Sequence, residues 1–258
     1  MKIVLRSVSL AVLMLAVAAC GNKATDKTAD KATDKAAAAS TAVGPATAAA
    51  NPAGADWTKV FAATPEGGFR IGNPDARVKL VEFASLTCPH CREFHEASMA
   101  DIRDKYVKSG NVSYEYRNFV LNGPDYAASM LARCQGAEAF FGLLSAFYSD
   151  QASWVEPFTK LTPDDNKRLA GMSEDKQIAA LAALGQLDSY VRARGIPRAK
   201  FDQCLADKAQ LAQLATLRTQ ATEKYKLTGT PGFIINDVTQ EGVFTWADLE
   251  PKLKAALS

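Results

Sequence analysis

The 258-residue sequence has little of what would mark a nucleic-acid binder or a membrane-embedded protein. Neither sign of charge is in clear excess, with 30 Lys and Arg against 28 Asp and Glu. That excludes a strongly basic nucleic-acid-binding surface, and no nucleic-acid partner is expected. Beyond the first 20 residues there is no long apolar run, which excludes a polytopic membrane protein. Histidine is scarce, with His90 and His95 alone, and no second Cys-x-x-Cys accompanies the one at 88–91. What is present is an apolar fraction of 48%, too high for disorder over most of the chain. The length fits one large or two small domains. The five cysteines, at 20, 88, 91, 134 and 204, carry the most information.

Lys2 and Arg6 form a positive start, followed by a short apolar stretch from Val8 to Ala19 that ends in small residues before Cys20. This run is too short and wrongly flanked to span a bilayer, and it shows no amphipathic period of a buried helix. Residues 1–19 therefore read as an export signal. Leu15-Ala16-Val17-Ala18-Ala19-Cys20-Gly21 resembles a bacterial lipoprotein lipobox, with Val17 where Leu is commoner. The resemblance implies cleavage before Cys20, lipidation of its thiol and new amino group, and anchoring to a membrane there. Residues 20–55 then form a low-complexity tether, including the quasi-repeat Lys23-Ala24-Thr25-Asp26, Lys27-Thr28-Ala29-Asp30, Lys31-Ala32-Thr33-Asp34. Nothing in it can build a core. As a flexible coil it reaches roughly 30–35 Å, enough to hold a domain clear of a membrane surface.

The folded region is expected over 56–258, ample for one core. Val78-Lys79-Leu80-Val81-Glu82-Phe83-Ala84 is a β-type run, largely apolar on both faces, as suits a strand covered on both sides. Ser85-Leu86-Thr87 turns into Cys88-Pro89-His90-Cys91, with Pro89 where a first helical position falls. Cys91, His95, Met99, Ile102 and Tyr106 then recur at helical spacing. Val112 to Val120 alternates like a strand, so a right-handed strand–helix–strand unit is expected. Roughly 124–226 reads as almost wholly helical, punctuated by Pro157, Pro163, Gly171, Gly185, Gly195 and Pro197. Strand signals return at 232–236 and at 242–245, and a helix over 246–257 closes the chain. The order gives an α/β fold with an all-helical insertion.

A strand feeding Cys-x-x-Cys at a helix N-terminus is a geometry for redox chemistry. The free N–H groups and dipole of the first turn favour a thiolate. Cys88, at the mouth, gains most and is expected to be exposed. Cys91 sits one turn inside, within disulfide reach. Pro89 costs no hydrogen bond there, and a protonated or polar His90 adds to the stabilisation of the Cys88 thiolate. A stabilised thiolate leaves readily, which makes the disulfide a strong oxidant. An inert staple would close almost no loop and so stabilise little. A zinc site from Cys88, Cys91, His90 and His95 would need four converging ligands, which one helical turn presents poorly. No metal site is expected, and His95 is placed along the apolar stripe.

Phe83-Ala84-Ser85-Leu86-Thr87-Cys88-Pro89-His90-Cys91 resembles the active-site segment of DsbA-type thiol–disulfide oxidoreductases, and more narrowly the BdbD-like and alphaproteobacterial DsbA-like branch. The likeness extends over about 66–258. It implies a thioredoxin fold, Cys88 as nucleophile, Cys91 as the buried resolving cysteine, and no organic cofactor. It also places an acidic residue, here Glu82, beneath the buried cysteine. Independently, Glu82 shares a strand face with Val78, Leu80 and Ala84, so its carboxylate points into an apolar layer with a raised pKa and can exchange a proton with Cys91. The opposing reading is an edge-strand Glu reaching solvent.

Thr230-Pro231 read alone favours an ordinary trans turn. The resemblance implies instead a cis-proline opposite the Cys-x-x-Cys, with Thr230 backbone groups against a bound peptide. Cys134 and Cys204 fall on different expected helices, 70 residues apart, and in an exported protein read as a structural disulfide. The resembling branch often carries such a pair, while free buried thiols are the alternative. The expected protein is a periplasmic, lipid-anchored monomer that oxidises reduced exported proteins and is reoxidised by a DsbB-like membrane partner. A reductase or isomerase, and a thiol-based metal-sequestering module, are the alternatives. Dimeric isomerases carry a folded N-terminal dimerisation domain, and the low-complexity residues 21–55 do not fit one.

Overall fold

The structure is a computed structural model that describes Gly54 and residues 56–258. The expectations for the export signal, for Cys20 and for nearly all of the tether lie outside the described residues. A short 3-10 turn, Trp57–Lys59, leads into two three-residue strands, β1 (Phe61–Ala63) and β2 (Phe69–Ile71). They are too short for a periodic signal to reveal them in the sequence. Then follow β3 (Val78–Ala84), α1 (Pro89–Asp101) with a π-helical turn over Ile102–Val107, and β4 (Val112–Asn118). β3 and β4 pair in parallel from Val78↔Val112 to Ala84↔Asn118, as the strand–helix–strand order predicts.

Between β4 and β5 (Gly232–Ile235) the chain is helical. It runs through α2 (Gly123–Arg133), α3 (Ala137–Ser149), α4 (Gln151–Thr159), α5 (Pro163–Ala170), α6 (Glu174–Leu184), α7 (Leu187–Arg192), α8 (Arg198–Leu205), α9 (Lys208–Thr219) and a π-helical turn, Gln220–Lys224. Side-chain caps start several of these helices: Asn122 on α2, Thr162 on α5 and Asp207 on α9. Pro157, expected between segments, lies inside α4, which ends two residues beyond it. A proline there cannot donate to the Ser153 carbonyl and weakens the last turn of this short helix.

The sheet has the order β1-β2-β4-β3-β5-β6, where β6 is Val238–Thr239. The last strand corrects the expectation of one at 242–245. β5 turns back through Asn236 and Asp237, with φ of 48° and 64°. β6 therefore begins at once, as Val238–Thr239. Two left-handed residues make the tight hairpin turn whose twist matches the strands, and residues 243–245 are left as an irregular lead into α10 (Trp246–Leu257).

The sheet's two faces carry separate apolar clusters. Val78, Leu80 and Ala84 face the larger one, with α1, the helical segment and α10. Val81 and Phe83 face a smaller one with Phe119, Ala221, Tyr225 and Ile234. Aromatic contacts tie the layers together: Phe94 of α1 lies 4.5 Å from Phe233 of β5, and Phe69 of β2 lies 4.7 Å from Phe140 of α3, ring centre to ring centre. β3 is thus held on both edges and both faces. It delivers its C-terminal end, and the turn beyond it, to a fixed place.

Candidate active site

β3 ends at Ala84, and the turn Ser85-Leu86-Thr87 brings Cys88 to the N-cap of α1, with Pro89 as its first residue. Both Cys88 and Cys91 are free thiols. Cys91, one helical turn in, is fully buried, and Cys88 is only 6% exposed. The expectation of an open Cys88 is therefore corrected. The loop carrying Thr230 closes over it, and the Cys88 thiol donates to the Thr230 carbonyl at 3.4 Å. Thr230-Pro231 is a cis peptide bond, the isomer that the family resemblance implies and the bare sequence disfavours. Beside the thiol, an apolar groove of about 600 Å³ is lined by Phe94, Thr230, Phe244 and Trp246, with His90 and Glu93 at its rim.

The two thiols are pushed in opposite directions. The Cys91 side chain, bonding to Cys88, is the largest influence drawing the Cys88 thiol down to about 5. Desolvation opposes it, while the Thr230 side chain and the backbone N–H groups of Cys91 and His90 add to it. Burial pushes the Cys91 thiol well above its ordinary value, and the neighbouring Cys88 and Glu82 push the same way. The helix mouth thus holds one sulfur ready to ionise and a second that strongly prefers its proton.

Glu82 lies beneath this pair on the central strand, 1% exposed, which disposes of the edge-strand reading. Tyr114 on β4 donates to Glu82 Oε2 at 2.6 Å, while Oε1 is buried with no partner. Burial is the main reason that the carboxyl is pushed up to about 8, with the Tyr114 bond pulling the other way. The hydroxyls of Tyr116 and Tyr148 bond each other at 2.8 Å nearby.

The histidines divide. The exposed His90 ring has Nδ1 3.2 Å from Glu93 Oε2, so His90 acts on Cys88 through its backbone N–H rather than its imidazole. His95 lies along the inner stripe as expected. Its ring rests 4.9 Å from that of Tyr148, with Nε2 3.2 Å from Ser145 Oγ. Burial holds it down to about 4, hence neutral near pH 7. Among the described residues, no three His, Cys, Asp or Glu side chains are grouped to hold a metal ion. Cys134, at the C-cap of α2, and Cys204 of α8 form a disulfide with Cα atoms 5.6 Å apart.

Two site-adjacent residues escape the sequence reading. Asp125, fully buried, accepts from Ser85 Oγ, from the N–H groups of Leu86 and Leu121, and from Ser129 Oγ. Burial pushes it up to about 6. Gln151 donates to the carbonyls of Leu86 and Cys88. The only signal at Asp125 is Asn122 three residues before it, which reads as an ordinary helix cap; Gln151 has none.

This is a thioredoxin-type α/β scaffold carrying a paired-thiol site at a helix N-terminus. The family model described as thioredoxin matches residues 64–255, and the chain belongs to that family. A solved structure of a protein-disulfide isomerase from Novosphingobium aromaticivorans is 33% identical, with a TM-score of 0.70 over 73% of this chain and 96% of that one. Wolbachia pipientis alpha-DsbA1, at 23% identity, has a TM-score of 0.59 over 78% of this chain and 95% of its own, a likeness of fold. A Rickettsia prowazekii protein provisionally named a protein-disulfide oxidoreductase is 28% identical over 185 residues, 71% of this chain and 60% of its own length. The chain thus spans about 60% of the length of the first curated relatives it matches. Among the described residues, no helix is long and apolar enough to cross a membrane.

Proposed function

We propose that this protein is a thiol–disulfide oxidoreductase that passes a Cys88–Cys91 disulfide to reduced exported proteins in the bacterial periplasm, anchored to a membrane by lipid at Cys20. The observation that carries the reading is the opposed displacement of the two thiols, Cys88 down to about 5 and Cys91 far up. A substrate thiolate attacks Cys88 Sγ of the disulfide, the Cys88–Cys91 bond breaks, and Cys91 leaves as a thiolate. Because Cys91 is a strong base in its buried site, it takes a proton, and neutral Glu82 beneath it supplies one. The substrate's second thiolate then attacks the substrate sulfur of the mixed disulfide and expels Cys88, which is a good leaving group as a stabilised thiolate. The substrate has lost two electrons, and these remain on the enzyme as a dithiol.

Thr230 and Pro231 flank Cys88 and offer backbone groups to a bound peptide, with the apolar groove beside them for its side chains. Pro89 and the His90 N–H keep the first turn of α1 open to the thiolate. The Cys134–Cys204 disulfide serves to staple the helical segment. A DsbB-like membrane protein is the proposed reoxidant, and the protein is taken to work as a monomer.

The name of the Novosphingobium structure favours a second reading, disulfide isomerisation, in which the dithiol form starts the reaction. The reduction potential, measured by equilibration with glutathione, separates the two. About −120 mV fits the oxidant and about −180 mV the isomerase, while a value near −270 mV, that of a thioredoxin-like reductant, overturns both.

A further inference from the structure

The four residues that lead into α1 are each held by side chains of the helical segment. Ser85 Oγ donates to Asp125 Oδ2 at 2.5 Å, and the Ser85 carbonyl accepts from Tyr148 OH at 3.2 Å. The Leu86 N–H donates to Asp125 Oδ1 at 3.1 Å, and its carbonyl accepts from Gln151 Nε2 at 2.8 Å. Thr87 Oγ1 accepts from Asn122 Nδ2 at 2.9 Å. Finally, the Cys88 carbonyl accepts from the same Gln151 Nε2 at 2.9 Å. Asp125 is fully buried and Gln151 is 5% exposed, so neither set of bonds is shared with bulk water. Buried polar groups held in this way are stiff, because losing one partner strands the other.

The geometry has an electrostatic consequence. Cys88 is the N-cap of α1; its Sγ donates to the Thr230 carbonyl, and the N–H groups of residues 90 and 91 add to the lowering of its thiol. Its carbonyl carries the opposite partial charge and belongs to the same residue. One amide that donates to both the Leu86 and the Cys88 carbonyls fixes those peptide planes with their oxygens toward α4. The Arg92 N–H, at 3.2 Å from the Cys88 carbonyl, continues the helix in the same direction. Asp125 pins the two residues just before. With the turn free to rotate, carbonyl oxygens would share the space around the sulfur with the N–H groups. We propose that Gln151, supplied by the helical segment, is a positioning residue that turns the Leu86 and Cys88 carbonyl oxygens away from the Cys88 thiol at the mouth of α1. The inference rests on Cys88 being the reactive thiol, and it assigns part of that reactivity to the inserted helices.

The test is the rate of iodoacetamide alkylation of Cys88 as a function of pH, in the full-length reduced protein. Gln151→Met removes both donors at nearly constant shape. It is expected to move the midpoint of the curve upward by about one pH unit, a tenfold loss of rate below the midpoint. Ser153→Ala, at an exposed site on α4, leaves it in place. If Gln151→Met does not fold, Gln151→Asn carries the test, because its amide is one methylene too short to span both carbonyls, and a smaller upward movement is expected. A folded Gln151 variant that keeps the wild-type midpoint overturns the inference. Failure of the underlying reading is distinct: the wild-type protein itself would then titrate near an ordinary thiol, at about 8.5.

Discussion

Cys88 and Cys91 lie three positions apart in sequence at the first turn of α1 and are free thiols, whereas Cys134 and Cys204 are 70 positions apart and are joined. Chain entropy explains part of the contrast. Closing a 70-residue loop stabilises by up to about 4 kcal/mol, and a four-residue ring by less than half of that. Environment explains the rest. The first pair sits at a helix mouth above a buried carboxyl, where one sulfur is drawn toward the thiolate and the other away from it. Spacing and surroundings, not the sulfur itself, separate a reactive pair from a staple.

The sharpest way to break this contrast is to exchange the losses. Cys88→Ser is expected to abolish catalysed oxidation of a reduced protein substrate, followed by the appearance of its disulfides. The double variant Cys134→Ala/Cys204→Ala is expected to keep most of that activity while folded. A folded double variant without activity would make the second pair a redox partner of the first. The next effect is on stability: urea unfolding of the double variant should show a loss of up to about 4 kcal/mol, and little change for Cys88→Ser assayed beside wild-type protein with its Cys88–Cys91 disulfide formed.

A further effect separates the pairs by pH. The Cys88 thiol is lowered to about 5 on folding, from about 8.5 in an unfolded chain. A lowered value means that the folded state holds the thiolate when the unfolded state still binds a proton. The stabilisation is full above about pH 8.5 and is lost as pH falls through 5. Thermal unfolding of the form with Cys88 and Cys91 reduced, compared with the form carrying their disulfide, should therefore show a gap that grows in favour of the reduced form between pH 5 and 8.5. A gap independent of pH over this range would deny Cys88 its thiolate.

Much of the site was legible because its determinants are local. The apolar run of β3, the proline at the start of α1 and the two cysteines one turn apart all act within fourteen residues. The central position of Glu82 followed from the same run, since only a strand covered on both faces needs that pattern. What failed depended on distant or very short partners. β1 and β2 are three residues each, below the length at which alternation means anything. The strand expected at 242–245 lost to a hairpin turn at Asn236-Asp237. Cys88 was expected to be open because nothing near it in sequence covers it; the cover comes from Thr230, 142 residues on.

The order of apolar runs, turns and caps was enough to determine an α/β fold with a helical insertion and a Cys-x-x-Cys at a helix N-terminus, because hydrophobic period and helix-start chemistry are written in neighbouring residues. Only the tertiary structure decided that the Thr230 loop covers Cys88, that Tyr114 meets Glu82, and that Asp125 and Gln151 reach out of the insertion to grip the turn before α1. Those contacts join residues from 32 to 142 positions apart. A buried polar side chain takes whichever partner the packing brings to it, and no local pattern in the chain encodes that choice.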